Sequence, residues 1–233
     1  MNFQESKADR VHQSTKSELL IFDLEAYVPR EERKRSSLSL AVNPYRKGHT
    51  LLGGVFHLFH PATGEVITTP EYEHHWLWKD GDEAETVFNI YQIFSGMHER
   101  AAGKKKFAAD PVVCGVGIAN FDMPFICAKC MEYETAPKDE IYESVCKFRV
   151  VDLNTAALGF VPGKELYPIP HNRIADYFLP ARCEKPTGKV VWDMADDKEY
   201  SAIETRCETE VREMKEIARA MLTRLRGTCL QTP

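Results

Sequence analysis

Apolar and polar positions along the chain alternate between two rhythms. Leu19-Leu20-Ile21-Phe22 is an unbroken apolar run that continues through Leu24, Ala26 and Tyr27 and closes at Val28-Pro29. That pattern predicts a first strand buried on both faces. Thr50 to His60 predicts a second, with Gly53-Gly54 marking a bend or bulge inside it. Pro61-Ala62-Thr63-Gly64 reads as a turn and Glu65 to Thr69 as the returning strand of a hairpin. The polar stretch from Pro70 to Asp80, with His74, His75, Trp76 and Trp78, reads as a linker packed onto the body. Val112 to Ala119 and Phe148 to Leu153 predict two further strands.

Between these lie segments of helical period. Asp82 to Ala102 places Val87, Ile90, Tyr91, Phe94 and Met97 at threes and fours. Asp122, with Pro124 in the first turn, opens a helix that runs on through Cys127 and Cys130. A short helix covers His171 to Phe178, after a Pro/Gly-rich connection from Pro162 to Pro170. Ala181 to Asp197 reads as a loop holding a short extended Val190-Val191-Trp192. A long last helix, about Lys198 to Arg226, carries one stripe: Ile203, Cys207, Met214, Ile217, Ala218, Met221, Leu222 and Leu225.

Composition narrows the class without naming it. A chain of 233 residues, 43% hydrophobic and 28% charged, suits one soluble domain. We place that domain at residues 17–227, between a polar N-terminal arm, 1–16, and a tail, 228–233. The arm has no apolar centre, so it is not a secretory signal, and no apolar run is long enough to span a bilayer. Seven irregularly spaced cysteines point to a reducing, cytoplasmic setting rather than a disulfide framework. Cys127 and Cys130 have C-x-x-C spacing, but no second pair matches it, which argues against zinc. A net charge of -5 does not announce nucleic-acid binding by bulk electrostatics. Such a partner would meet a local patch: the charged loop Arg30 to Ser37 or the triplet Lys104-Lys105-Lys106, unless these are simply solvated.

The chemistry lies in four acids. Asp23 and Glu25 sit two apart in the first strand, so both project from one side of it. Either the strand stops at Phe22 and they are solvated, or something cationic neutralises them. Asp122 stands at a strand-to-helix junction, where a plain N-cap is the alternative role. Glu210 falls within the apolar stripe of the last helix, seven beyond Ile203, whereas Glu204 and Glu208 fall outside it. Four inward carboxylates would suit two hard divalent ions, magnesium or manganese, that activate water for in-line attack on phosphorus.

These residues also carry a resemblance. Phe22-Asp23-Leu24-Glu25 resembles the first motif of the DEDD superfamily of 3′–5′ exonucleases, and Phe121-Asp122-Met123-Pro124 is similar to the second. Ile203 to Val211 resembles the third, and the nearest likeness is to exonucleases related to the proofreading domain of family-B DNA polymerases. The resemblance implies an α/β, ribonuclease-H-like fold: a mixed five-stranded sheet, its first three strands antiparallel, flanked by helices. It implies that Asp23, Glu25, Asp122 and Glu210 hold two magnesium or manganese ions at the 3′ end of single-stranded DNA or RNA. It also implies a stand-alone nuclease or a part of a larger nucleic-acid-processing complex. The third motif departs in two places: Glu210 matches an aspartate, and Arg206 matches the tyrosine that orients water; an arginine there could bind a phosphate oxygen, or pair with Glu210 and weaken the metal cage. Tyr200 precedes Glu204 by the family's spacing, so a register using that pair stays open. The functional alternatives are an active exonuclease, a degenerate module that binds nucleic acid or protein, and an unrelated α/β protein.

Overall fold

The computed structural model describes residues 17–33, 42–102, 110–162, 168–180 and 188–229. Its centre is β1 (Leu19–Tyr27), flanked by β2 (Thr50–Phe59) on one side and β4 (Val112–Gly115) on the other. β3 (Glu73–Trp76) and β5 (Arg149–Asp152) form the edges, giving the order β3-β2-β1-β4-β5. β1, β2 and β3 are antiparallel, whereas β4 and β5 run parallel to β1. β1 is the central strand, paired with β2 along its whole length and with β4 over Leu19 to Ile21, and its apolar run is buried on both faces.

Alternation along β1 separates two cores. Leu20, Phe22, Leu24 and Ala26 face α1 (Glu83–Ala102) and α2 (Asp122–Glu132), among Val87, Ile90, Phe94, Ile126 and Cys130. Ile21, with Val55 and Trp76, joins the other core, built from α3 (His171–Phe178) and α5 (Tyr200–Cys229). Asp23 and Glu25 follow Ile21 in period two, so the two acids of β1 point into the α5 layer.

Several expectations need correction. The partner of β2 is Glu73–Trp76, inside the stretch read as a linker; Glu65 to Thr69 contributes only the isolated bridge Val66 to Phe59. Polar Glu73, His74 and His75 are tolerated because β3 is an edge strand, and Trp76 alone is fully buried. Val190-Val191-Trp192 is not extended but begins α4 (Val190–Asp196). Its Trp192 Nε1–H donates to the Ala26 carbonyl at 2.9 Å, pinning that turn of helix to the end of β1. In α5 the stripe stops at Met221: Leu222 and Leu225 are exposed. Arg30 and Arg33 of the charged loop pair with Asp193 and Asp196 of α4. The rest of that loop from residue 34, and the lysine triplet, lie outside the described residues.

Trp192→Phe keeps most of the ring volume but leaves the buried Ala26 carbonyl without its donor. The expected outcome is a loss of about 2 kcal/mol, read as a lower urea midpoint at unchanged slope.

Candidate active site

Four acids converge on one open cavity of about 620 Å³ beside the C-terminal half of β1. Asp23 and Glu25 come from β1, Asp122 from the start of α2, and Glu210 from the middle of α5. Arg206, Asn120, Asn154, His171 and Asn172 complete its polar lining. Each acid is placed by something local. Asp122 is not the cap of α2; that position belongs to Phe121, whose side chain caps nothing. The Asp122 carboxylate instead accepts the Leu24 amide of β1 at 2.9 Å, tying the helix start to the strand between the two β1 acids. Asp23 accepts from the Cys207 thiol of α5 at 3.4 Å.

Burial and mutual repulsion govern the electrostatics. Desolvation holds the Asp23 carboxyl well above the usual carboxylate range, and Glu210, Glu25 and Asp122 add to it. Glu25 is raised in the same way by burial and by Glu210, with Arg206 pulling it back. Asp122 is pushed up to about 7, chiefly by burial, while its bond from the Leu24 amide works against the rise. Such shifts mark a cluster holding more negative charge than its surroundings can solvate.

Among the described residues the surroundings supply one guanidinium. Arg206 Nη2 lies 2.6 Å from Glu210 Oε1, one turn along α5, and its Nε lies 3.9 Å from Glu25 Oε1. The alternative register falls elsewhere. Glu204 accepts from Trp78 Nε1 at 2.8 Å and from Lys79 at 2.6 Å. Tyr200 stacks on Trp78 with ring centroids 4.3 Å apart, and lines a different cavity with Tyr27 and Asp196. Trp76, Trp78 and Tyr200 thus stack on one another. Cys127 is paired with Cys146, Sγ to Sγ 3.4 Å, rather than with Cys130.

Two residues at the site carried no functional signal in the sequence. His171, placed by the start of α3, comes within 4.0 Å of Glu210 Oε2 and 3.5 Å of Glu213 Oε2. Asp152, at the end of β5, accepts the Gly117 and Ala119 amides at 2.8 and 3.0 Å, and so braces the loop that leads to Asp122. The only hint of the first was a histidine directly after Pro170, where a helix starts.

The donor set fits a hard divalent cation: it is all carboxylate oxygen, with Glu25 and Asp122 buried, Asp23 and Glu210 partly so, and three of four carboxyls shifted upward. Among the described residues, however, no three His, Cys, Asp or Glu side chains stand close enough together to hold a metal ion as they are. Among the described residues, the cation in contact with the acids is Arg206.

Sheet order and layering define a ribonuclease-H-like fold, α/β, with a mixed five-stranded sheet flanked by helices. Among solved structures it is similar to the family B DNA polymerase from the hyperthermophilic archaeon Pyrobaculum calidifontis, with a TM-score of 0.54 and 18% sequence identity. The match covers 88% of this chain and 24% of that polymerase, so this chain aligns with about a quarter of it. At that identity the likeness is one of fold. No protein-family model matches the chain, and no curated protein does. Among the described residues no helix is long and apolar enough to cross a membrane.

Proposed function

We propose that this chain is a metal-dependent 3′–5′ exonuclease that hydrolyses terminal phosphodiesters of single-stranded nucleic acid, DNA in preference to RNA. The observation that carries the reading is the meeting of Asp23, Glu25, Asp122 and Glu210, from three separate elements, at one cavity. Its volume, about 620 Å³, falls in the range that takes a ligand of nucleotide size. The fold likeness to a DNA polymerase supports a nucleic-acid substrate.

In this reading the four acids would hold two magnesium or manganese ions, which when bound supply Lewis acidity toward water and phosphate oxygens. The chain's own residues arrange the rest. The Leu24 amide fixes the Asp122 carboxylate, and Asp152 fixes the loop before it. Asn120, Asn154, His171 and Asn172 offer hydrogen-bonding groups around the cavity to the sugar-phosphate end of a strand. Tyr200, stacked away from the cavity, does not orient the water.

A second reading, an exonuclease fold kept as a nucleic-acid- or protein-binding module, is favoured by one observation: Arg206 already neutralises Glu210 at 2.6 Å. Single-stranded DNA and RNA labelled at the 5′ end separate the two. The exonuclease gives a ladder shortening from the 3′ end in magnesium or manganese, faster on DNA and absent in EDTA. Retention of the oligonucleotide with no metal-dependent shortening would replace it with the binding module.

A further inference from the structure

Arg206 is the only Lys or Arg among the described residues that lines the acid cavity. It lies four residues before Glu210, so the two side chains meet on one face of α5 whatever else happens in the site. Its side chain is 11% exposed, beside Glu25 at 9% and Glu210 at 13%. A guanidinium cannot shed its charge near neutral pH, and at this burial little water screens it. It therefore stands among the acids as a permanent single positive charge.

We propose that Arg206 is the resident counter-cation of this site and sets its affinity for divalent metal by competing for Glu210 and Glu25. The proposal rests on the metal-dependent reading above. A guanidinium and a hard metal ion seek the same carboxylate oxygens, and both cannot have Glu210 Oε1. Entry of an ion therefore requires the Arg206 side chain to give up its 2.6 Å contact and swing toward the cavity mouth. Once there, its charge faces the place where the phosphodiester would lie, and it becomes a substrate contact. One side chain would then do two jobs. It holds the acids together in the metal-free protein and moves to the substrate in the loaded one.

A charge-assisted contact of this kind, once lost, is worth roughly ten- to hundredfold in an equilibrium. Manganese binding by calorimetry, together with thermal melting of the full chain in EDTA and in manganese, tests this without reference to activity. Arg206→Gln is expected to bind manganese roughly ten- to hundredfold more tightly than wild type. It should also melt lower in EDTA, and gain more on adding manganese. Equal affinity in the two proteins overturns the proposal and leaves the metal site standing. Absence of binding in both overturns the metal site, and this proposal with it. Should Arg206→Gln not fold, Arg206→Met removes the charge but keeps most of the apolar stem. It is expected to bind manganese more tightly than wild type, and equal affinity again overturns the proposal.

Discussion

Asp23→Asn is expected to abolish the proposed nuclease activity and, in EDTA at pH 7, to yield a more stable protein than wild type. The activity loss should reach about a thousandfold or more, since the carboxylate at the centre of the cluster supplies several kcal/mol of transition-state stabilisation through the ions it would hold. The gain in stability follows from its setting. Asp23 is buried beside Glu210, Glu25 and Asp122, and is relieved only by the Cys207 thiol. A neutral amide of the same shape removes one charge that water no longer solvates and lightens the load on the others. The expected gain is on the order of 2 kcal/mol, the usual penalty for a buried polar group that is poorly compensated.

The pH dependence has a definite sign. The clustered carboxyls hold their protons more tightly folded than unfolded, Asp122 at about 7 against an ordinary 3.8. Between those values the native state carries more protons than the unfolded one, so stability falls as pH rises through that window. Metal-free wild type should therefore lose stability from about pH 5 to pH 7, and Asp23→Asn should lose less. His57 and His98, lowered by burial, act the other way at acid pH, but equally in both proteins. Urea midpoints at several pH values in EDTA give the difference directly. An Asp23→Asn protein less stable than wild type at pH 7 would contradict this account of the cluster.

The second large effect lies outside the chemistry. Gly53→Val should prevent folding, at a cost of about 4 kcal/mol or more. Gly53 faces Glu25 at the point where the β1–β2 register slips: Ala26 pairs with Leu51, leaving Leu52 as the extra residue. Its φ is 137°, and a Cβ there would lie 2.0 Å from the His75 carbonyl oxygen and 2.7 Å from the Trp76 ring. No side-chain rotation relieves a collision with backbone, so β3 would have to leave the sheet. Gly64→Val is the control: its φ is also positive, at 75°, but nothing lies within 4 Å of its Cβ position. It should cost about 1–2 kcal/mol and leave a folded protein by near-ultraviolet circular dichroism.

How far the sequence spoke depended on what each residue had to satisfy. β1, β2, β4, α1, α2 and α5 were legible because each buries a periodic apolar face. β3 was not, since an edge strand needs only one buried residue, and Trp76 alone gave no period. Glu65 to Thr69 misled in the opposite sense, having β-branched residues but only one bridge to make. Val190-Val191-Trp192 has strand-like residues, yet α4 forms because Val191 and Trp192 are buried on the body and the indole bonds Ala26. At the site, the acids stood out as charges inside apolar runs, and Arg206 could be placed beside Glu210 from helical spacing alone. His171 and Asp152 could not, because only the topology brings His171 to the cavity and Asp152 to the loop before Asp122.

The pairing of Arg206 with Glu210 also bears on the order in which the site is assembled. Asp23, Glu25 and Asp122 are joined through β1, β4 and the loop into α2, all within the first 122 residues. Glu210 arrives from α5, 185 residues after Glu25. On a ribosome, the three earlier acids emerge well before the fourth is made. Because Arg206 precedes Glu210 by one turn of the same helix, the fourth negative charge is delivered with its own positive one. The step that completes the cluster therefore adds no net charge to it.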